Sequence, residues 1–480
     1  MKMLIDGKHV DAKDGAVIEV LNSATQELVD TIPAATHEDV LYAIEVAQKG
    51  KEIWAATPQY ERSEVLVKVA YAIEENVEEL ARLLTTEMGK VISEARAEVA
   101  CTAQIFRGFA EMANHLYGQT MSEFQKGSET DIIFTKNEPL GVVACITPFN
   151  YPVELCYHKA AAALAVGNAV IIKPATDNPL TIMRMAQLCW EAGIPGSVLQ
   201  VVTGSGSKIG NILVSSKHID KISLTGSTEV GVEVAQLGAK TLKRMALELG
   251  GNDPFIVFDD ADMDLAISEA VSGRLKNAGQ TCVSPKRFIV QRTVLDEFTN
   301  GVIDSFKKVK LGCPLDENTE LGSLINIKAA EQVKKDVEHT VAQGAKCVYG
   351  GKLYDKTYFE PTVLTDVTKD MDIAIDLEVF GPVMPIIAFD TFDEAIEIAN
   401  NTSYGLQAGV MSKDASKAIR AASKIKCGAV VINGSGNYRN VDQPFGGVKM
   451  SGLGREGISC TLNDMTQVKS YVLKNIMVDK

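Results

Sequence analysis

The sequence contains no long apolar run. The longest apolar segment, AAAALAV at residues 160–166, is far shorter than the roughly 18–20 residues that a membrane-spanning helix requires. The first residues, MKMLIDGKHVDAKDG, include no apolar core of the kind that a secretory signal contains. We therefore expect no membrane partner and no secretion, and we expect a cytoplasmic location.

Excess basic charge and paired cysteines are also missing. The 480-residue chain carries a formal net charge of −14, and an acidic surface disfavours nucleic acid and anionic membranes as partners. The nine cysteines are dispersed, form no CxxC motif and are odd in number, which indicates a reduced compartment and argues against a structural zinc site. The six histidines are equally scattered, so no bound metal is expected.

What the sequence does contain is a regular alternation of short apolar strands and helices. A mostly helical stretch at 36–118 comes first, with apolar residues at a spacing near 3.6. The segments GVVACITP, NAVIIKP, VLQVVTG and HIDKISLTGS then read as strands followed by helices. A second set begins near Asn252 with DPFIVFDD, RFIVQ, VMPIIAF, AGVMS and AVVING. This alternation predicts an α/β fold with two doubly wound α/β domains.

Two segments do not follow the alternation of strands and helices. Residues 122–140, SEFQKGSETDIIFTKNEPL read from Ser122, and the C-terminal stretch TQVKSYVLKNIMV are polar and alternating. Both resemble edge strands that leave the main body, and exposed strands usually pair with another strand. We predict that segments 122–140 and 462–480 form an arm for self-association.

The first set of strands carries features suited to a phosphate. In SLTGSTEVG a strand ends at Gly226-Ser227 and a helix begins at Thr228, and free N–H groups at a helix start suit a phosphate. Lys173 ends another strand at the same carboxyl edge. A Gly-Ser turn also serves as a simple helix cap, and a strand-end lysine also reaches solvent. Within four βα units, a dinucleotide site at this edge is nevertheless the expected arrangement.

Three further residues suit covalent chemistry at a carbonyl group. Cys282 follows the bend in NAGQTC, Glu248 precedes two glycines in MALELGG, and Asn150 lies between a strand and a helix in ITPFNYP. A buried glutamate has a raised pKa and can act as a base near neutral pH, and an asparagine amide can donate to an oxyanion. Each residue also has a plain structural explanation, as a gap filler, a helix cap or a turn residue. Together they supply the nucleophile, base and oxyanion donor for covalent oxidation of an aldehyde.

The chain resembles the aldehyde dehydrogenase superfamily over essentially its whole length. The resemblance is carried by TPFNYP, KPA, TGSTEVG, LELGG, NAGQTC, EVFGPV and PFGGVKMSGLGREG, in the family's order. It implies a Rossmann-like NAD(P)-binding domain at 1–121 and 141–250 and a catalytic domain at 251–450. It also implies that the arm at 122–140 and 462–480 makes dimers or tetramers.

The resemblance also implies residue roles. Cys282 resembles the nucleophile, Asn150 the oxyanion donor and Glu248 the base that activates water, while Lys159 and Glu456 resemble residues that relay the proton of Glu248. The residues implied to bind the cofactor are Thr147, Pro148, Lys173, Thr176, Gly204, Gly226, Ser227, Leu249, Glu378 and Phe380. Relatives that make acyl-CoA usually lack the glutamate at 248, so hydrolysis to a free acid is expected and a CoA-acylating enzyme is the alternative. A structural protein that only kept the fold is disfavoured, because all three reactive groups are intact.

Thr176 in KPAT bears on the choice of cofactor. Many NAD-preferring relatives carry a glutamate at this position, where a carboxylate would repel the 2′-phosphate of NADP by roughly a kcal/mol or more. A threonine hydroxyl can donate to that phosphate instead. NADP is therefore the preferred cofactor, and use of NAD stays open.

The expected substrate is a small anionic or hydroxylated aldehyde of the lactaldehyde, glyceraldehyde 3-phosphate or succinate-semialdehyde type. His158 and Arg439 resemble residues that face the substrate tail in lactaldehyde and phosphonoacetaldehyde dehydrogenases. Lys276 stands where succinate-semialdehyde enzymes carry an arginine that binds a carboxylate. These three groups would form a cationic funnel, although such residues are also common on solvated surfaces.

Three further residues are candidates for the same funnel. Tyr151 and Thr281 are predicted to line it, and His115 is a further candidate. As an alternative, Phe149, Tyr151 and Tyr438 would form an aromatic cage for a cationic aldehyde such as betaine aldehyde.

Overall fold

The computed structural model describes residues 1–122 and 125–476. Residues 123–124 and 477–480, which the sequence assigned to the arm, lie outside the described residues. No helix within the described ranges is long and apolar enough to cross a membrane.

The first part of the chain forms a helical layer and most of one large sheet. Its helices are α1 (His37–Ala56), α2 (Gln59–Glu75), α3 (Val77–Met88), α4 (Ile92–Ala113), α5 (Pro152–Ala165), α6 (Leu180–Glu191), α7 (Asn211–Ser215) and α8 (Thr228–Ala239). Its strands are β1 (Met3–Ile5), β2 (Lys8–Val10), β3 (Val17–Leu21), β4 (Leu28–Pro33), β5 (Thr120–Met121), β6 (Ile132–Pro139), β7 (Val142–Ile146), β8 (Ala169–Lys173), β9 (Leu199–Val201), β10 (Lys221–Thr225) and β11 (Arg244–Glu248).

The second part of the chain contains the other large sheet, its helices and several strands that belong to other sheets. The helices are α9 (Met263–Leu275), α10 (Leu295–Phe306), α11 (Ile327–Ala342), α12 (Asp372–Ile375), α13 (Phe392–Asn400), α14 (Ala415–Lys424) and α15 (Ile458–Asp464). The strands are β12 (Pro254–Val257), β13 (Arg287–Gln291), β14 (Lys346–Tyr349), β15 (Leu353–Tyr354), β16 (Tyr358–Phe359), β17 (Thr362–Val367), β18 (Val383–Phe389), β19 (Gln407–Met411), β20 (Ala429–Ile432), β21 (Gly452–Leu453) and β22 (Thr466–Leu473).

Both large sheets have parallel centres. The first runs in the order β2-β1-β9-β8-β7-β10-β11-β21, and the second in the order β14-β17-β18-β13-β12-β19-β20. In the first sheet, Val142 and Ala144 pack into one core while Val143 and Cys145 pack into the other. A strand that is buried on both faces reads as a continuous apolar run, which is why these segments were recognisable. The predicted α/β fold with two doubly wound sheets is confirmed.

The predicted arm contributes β6 and β22 to a separate sheet of three strands in the order β22-β6-β5, and β5 precedes the predicted arm. Strands β22 and β6 pair antiparallel from Thr466–Pro139 to Leu473–Ile132, and Phe134 stacks on Tyr471 with 5.0 Å between ring centroids. The structure differs from the prediction at residues 462–464, which belong to α15 rather than to a strand. They are helical because Leu462 packs into the core of the first part of the chain.

Candidate active site

Cys282 follows a tight bend with an unusual backbone. Asn277 and Ala278 have φ values of +51° and +54°, and Gly279 has a φ of +77°. A left-handed conformation is unfavourable for residues with a Cβ, so other contacts must hold it. The Asn277 side chain donates to the Asn150 carbonyl at 2.9 Å, and the Asn277 N–H donates to Glu94 at 2.9 Å.

Gly279 allows the bend to approach a neighbouring segment. A Cβ at this position would lie 2.2 Å from the carbonyl oxygen of Gly381, which is too close for any side chain. The bend therefore fixes the Cys282 peptide against the segment that carries Glu378 and Phe380. The presence of glycine at position 279 in NAGQTC thus has a steric explanation.

A lysine that the sequence reasoning missed lies behind the Cys282 thiol. Lys286 Nζ donates to the carbonyls of Cys282 at 2.6 Å and Thr281 at 3.0 Å, and it forms an ion pair with Glu378 at 3.2 Å. Burial raises the pKa of the Cys282 thiol to about 12, and the positive charge of Lys286 opposes that rise. Its position four residues after the cysteine was the available signal.

Asn150 is placed to donate a hydrogen bond next to the thiol. Its side chain is 3% exposed, and its amide oxygen accepts from the Tyr151 N–H at 3.0 Å. This bond leaves the amide nitrogen as the group that can donate into the cavity that Asn150 and Cys282 both line. The arrangement suits stabilisation of the oxyanion that forms on a carbonyl oxygen when the thiol adds to the carbonyl carbon.

Glu248 ends β11 and faces a buried charged cluster. Burial raises its pKa well above the usual range, and the neighbouring Glu456 raises it further. Its Oε2 atom has no hydrogen-bond partner in the described part of the chain. Lys159 donates to Glu456, and Arg439 donates to the other oxygen of Glu456 at 3.1 Å. The structure therefore brings the five predicted catalytic residues into two adjoining groups, the Cys282–Asn150 pair and the Glu248–Glu456–Lys159 cluster.

A cavity of about 940 Å³ opens beside Cys282, within the range typical of cofactor sites. Seven of the ten predicted cofactor residues line it, namely Thr147, Pro148, Gly226, Ser227, Leu249, Glu378 and Phe380. Ser227 caps α8 by accepting from Val230, so the start of α8 can receive a phosphate. The hydroxyls of Thr147 and Thr225 are buried without a partner among the described residues. These orphaned polar groups and the size of the cavity fit a dinucleotide.

The remaining three predicted cofactor residues form a corner at the ends of β8 and β9. Lys173 is 4% exposed, and burial lowers its pKa to about 8. The Thr176 hydroxyl donates to the Gly204 carbonyl at 3.2 Å. Donation from this hydroxyl to a 2′-phosphate stays a prediction, and it requires the hydroxyl to exchange the Gly204 carbonyl for the phosphate.

The predicted cationic funnel is also wrong in part. His158 is 1% exposed, and its Nε2 accepts from the Gly457 N–H at 3.1 Å. An accepting ring nitrogen carries no proton, and burial lowers the pKa of His158 to about 3. His158 is therefore a neutral interior residue. Arg439 is charged, but Glu456 and Glu154 engage it.

Lys276 borders a separate surface cavity, together with Glu94 and Asp264, and is not among the residues that line the Cys282 cavity. It is exposed, forms no ion pair within 4 Å in residues 1–122 and 125–476, and lies 5.9 Å from the ring centroid of Tyr151. Thr281 is 4% exposed in the peptide before Cys282. His115, by contrast, lies exposed just beyond α4 and contacts Tyr117, so the proposal that it joins the funnel is wrong.

The aromatic cage is not assembled. Lys90 Nζ lies 3.5 Å from the ring centroid of Tyr151, so a cation already covers that ring. Tyr438 is 60% exposed, and Phe149 packs edge-on against Phe380 with 5.8 Å between centroids.

Helix α11 supplies a cavity wall that the sequence reasoning missed. Lys328, Ala329, Gln332, Val333 and Asp336 line the cavity from the second part of the chain. The N-cap of this helix, Asn326, donates to Asp177 at 3.1 Å, which ties the wall to the loop after β8. No metal-binding group of three or more His, Cys, Asp or Glu side chains is found within the described ranges.

Comparison with known proteins agrees with this geometry. The model of the aldehyde dehydrogenase family matches residues 9–471. A glutarate-semialdehyde dehydrogenase from Pseudomonas putida is 41% identical over 97% of this chain and 96% of its own length. A lactaldehyde dehydrogenase from Methanococcus vannielii is 38% identical over 99% of this chain and 100% of its own.

A solved structure of an Escherichia coli NADP dependent enzyme superposes with a TM-score of 0.96 at 36% identity, over 98% of each chain. The extent and level of these similarities identify the family. The chain belongs to the aldehyde dehydrogenase family and is an NAD(P)-dependent oxidoreductase that acts on small aldehydes.

Proposed function

We propose that Cys282 attacks the aldehyde carbon and that the product leaves as a free carboxylic acid. The observation that carries the proposal is the cavity shared by Cys282 and Asn150, with the Asn150 amide turned so that its nitrogen can donate. The Cys282 thiolate forms the new bond to the carbonyl carbon, and the π electrons of the C=O bond move to the oxygen, which becomes an oxyanion. The Asn150 amide and the Cys282 N–H stabilise it, typically by a few kcal/mol per donor.

The nicotinamide of the bound cofactor supplies the hydride acceptor. Cys282 then carries a thioester, and water must displace the sulfur. Glu248 removes a proton from that water. In the structure its carboxyl group lies against Gly446, where a Cβ added to the glycine would be 2.6 Å from Glu248 Oε1. The Glu248 side chain must therefore turn from Gly446 toward the thioester. Lys159 and Glu456 pass the proton on from Glu248. The C–S bond of the thioester breaks, which regenerates the Cys282 thiol and releases the carboxylic acid.

We propose that NADP is preferred over NAD. The position after Lys173-Pro174-Ala175 is the neutral Thr176, whose hydroxyl is held by Gly204 and whose side chain cannot repel a phosphate. The buried Lys173 ammonium lies at the same corner and is paired with the Pro174 carbonyl alone among the described residues. The naming of the similar E. coli structure as an NADP dependent enzyme supports this preference.

The substrate proposed is a small aldehyde with a terminal carboxylate or hydroxyl, of the glutarate- or succinate-semialdehyde or lactaldehyde type. The Lys276 ammonium, which has no ion-pair partner among the described residues and lies near Tyr151, supplies the charge for such a tail. The names of the relatives from Pseudomonas putida and Methanococcus vannielii support both classes. A cationic aldehyde is disfavoured because Lys90 already covers the Tyr151 ring.

An aldehyde panel tests these proposals. It contains glutarate semialdehyde, succinate semialdehyde, lactaldehyde, glyceraldehyde 3-phosphate, betaine aldehyde and propanal, each with NADP or NAD and without CoA. We expect the carboxylated or hydroxylated aldehydes to exceed propanal at least tenfold in kcat/KM, which is about 1.4 kcal/mol. A strict requirement for CoA would contradict the hydrolytic role of Glu248.

We also propose that the chain forms a homo-oligomer, a dimer or a tetramer, through the arm. Val468 and Val472 lie on one face of β22 and are 68% and 55% exposed. Exposed apolar residues on a sheet edge favour pairing with another chain. Light scattering of the wild type and of a Val468→Lys, Val472→Lys double variant tests the proposal, and an unchanged mass would contradict it.

A further inference from the structure

Both carboxylate oxygens of Glu456 are held by cations. Oε1 accepts from Lys159 and Oε2 accepts from Arg439 at 3.1 Å. The Lys159 and Glu456 side chains are 1% and 7% exposed. A buried carboxylate in such a setting is stable only because it is paired on each side. Arg439 is therefore one of the two cations that stabilise the charged form of Glu456.

Among the described residues, the hydrogen bond that the Arg439 side chain donates goes to Glu456. The Nη1 atom of Arg439 lies 3.8 Å from Glu154, and its guanidinium carbon lies 4.2 Å from the ring centroid of Phe445. Phe445 is in turn bonded to Glu456 through two backbone hydrogen bonds of 2.8 and 2.6 Å. Arg439, Phe445 and Glu456 thus form one braced unit behind Glu248.

We propose that Arg439 is a positioning residue for the hydrolytic half of the reaction, which holds Glu456 against Lys159 so that Glu248 can act as a base. The inference rests on the proposed role of Glu248. It replaces the prediction that Arg439 binds the substrate tail. Arg439 is suited to this task because its planar guanidinium presents five donors in a fixed fork, whereas a lysine ammonium is a compact charge on a flexible stem.

The charges that face each group set the expected pH dependence. Glu248 is influenced by the charges of Glu456, Lys159, Arg439 and Arg455. Glu456 faces the charges of Lys159 and Arg439, and also His158, which is neutral above a pH of about 3. Arg439 is influenced by Glu456, Glu154 and Glu248. The groups that act on Cys282 are Lys286, Glu248, Asp253 and Glu378. Arg439 therefore acts on the base and its support but not directly on the nucleophile.

The sign of the effect follows from these charges. A cation beside a carboxyl group favours the charged form and lowers its pKa. Loss of Arg439 therefore raises the pKa of both Glu248 and Glu456. A base must be deprotonated to act, so the fall in hydrolysis on the acidic side begins at a higher pH. The shift expected from losing one adjacent charge is about one to three pH units.

The test compares the wild type with Arg439→Gln and Arg439→Lys in single turnovers across pH, using glutarate semialdehyde and propanal with NADP. The burst of reduced cofactor reports attack and hydride transfer, and quenched samples report acid release. For Arg439→Gln we expect an unchanged burst and an acidic limb of acid release displaced upward, equally for both aldehydes. For Arg439→Lys we expect a smaller displacement. Hydroxylamine, which attacks a thioester without a protein base, should restore turnover at low pH.

Glu154→Gln is the matched control. It removes the other carboxylate contacted by Arg439 and leaves the contact with Glu456, so its acidic limb should stay in place or move to lower pH. The inference is overturned if both Arg439 variants keep the wild-type limb. It is also overturned if Arg439→Gln raises KM for glutarate semialdehyde tenfold or more while propanal is unaffected, because Arg439 would then bind the tail.

The proposed function and this inference fail in different ways. If the wild type shows a burst but releases no acid without CoA, the role of Glu248 fails. If the wild type releases acid and the Arg439 variants keep the wild-type acidic limb, the positioning role of Arg439 fails and the role of Glu248 stands. Should Arg439→Gln not fold, as judged by circular dichroism, Arg439→Lys carries the same comparison.

Discussion

Gly279→Ala perturbs the bend before the nucleophile in two separable ways. The first is the left-handed backbone, with φ of +77°, which costs a residue with a Cβ about 1–2 kcal/mol. The second is the contact with the Gly381 carbonyl, only 2.2 Å from the new Cβ. Because the obstacle is backbone, the two segments must move apart, and forced overpacking typically costs about 1–3 kcal/mol. The sum is roughly 2–5 kcal/mol of unfolding free energy.

The displaced segment carries two residues that line the cavity proposed for the cofactor. Gly381 follows Phe380, and both Phe380 and Glu378 line the cavity beside Cys282. We therefore expect Gly279→Ala to weaken cofactor binding as well as to reduce turnover. Cofactor titration by protein fluorescence, urea unfolding and kcat/KM for the best aldehyde measure the three effects.

Gly15 provides the matched control for Gly279. Its φ of +74° is nearly the same, but no atom lies within 4 Å of a Cβ at that position. Gly15→Ala should therefore show the backbone cost of about 1–2 kcal/mol with normal cofactor affinity and turnover. If the two variants lose the same stability and both keep full activity, the contact with Gly381 does not shape the site.

Further predictions concern the proposed residue roles. Cys282→Ala should abolish turnover while cofactor still binds, as measured by titration; residual wild-type rates would refute the role of the thiol. Glu248→Gln should keep the burst of reduced cofactor and lose steady-state acid release, which hydroxylamine should restore. Thr176→Glu should lower the ratio of NADP to NAD use in kcat/KM at least several-fold, since the added carboxylate repels the 2′-phosphate by roughly a kcal/mol; an unchanged ratio would refute the cofactor argument. Lys276→Met should raise KM for glutarate semialdehyde about tenfold or more, the loss of one charged hydrogen bond, with propanal as the unaffected reference.

The α/β architecture was predictable because its signals are local. Strands such as β7 and β8 are buried on both faces and appear as short apolar runs, and each is followed at once by a helix. The carboxyl edge of the first sheet then follows from topology. Lys173, Ser227 and Glu248 could be placed there without knowledge of a side-chain contact.

The contacts between distant segments were not predictable in the same way. Arg439 and Glu456 are separated by 17 residues, and Lys159 and Glu456 by 297, so no spacing indicates that these three side chains meet. His158 appeared as a candidate cation because the amino-acid sequence does not reveal the hydrogen bond that the distant Gly457 N–H donates to its ring. The α11 wall was missed for a related reason, since an amphipathic helix does not reveal which of its buried residues faces a cavity rather than a core.

In the proposed mechanism, the placement of Glu248 separates the two halves of the reaction. A carboxylate beside Cys282 opposes formation of the thiolate, and Glu248 is among the charges that raise the pKa of that thiol. With its carboxyl group turned toward Gly446 and the Glu456 cluster, the repulsion is reduced while the nucleophile forms. A thioester is neutral, so once it exists Glu248 can approach without that electrostatic cost. The buried cations Lys159 and Arg439 favour the charged form of Glu248 while its carboxyl group lies turned away from Cys282.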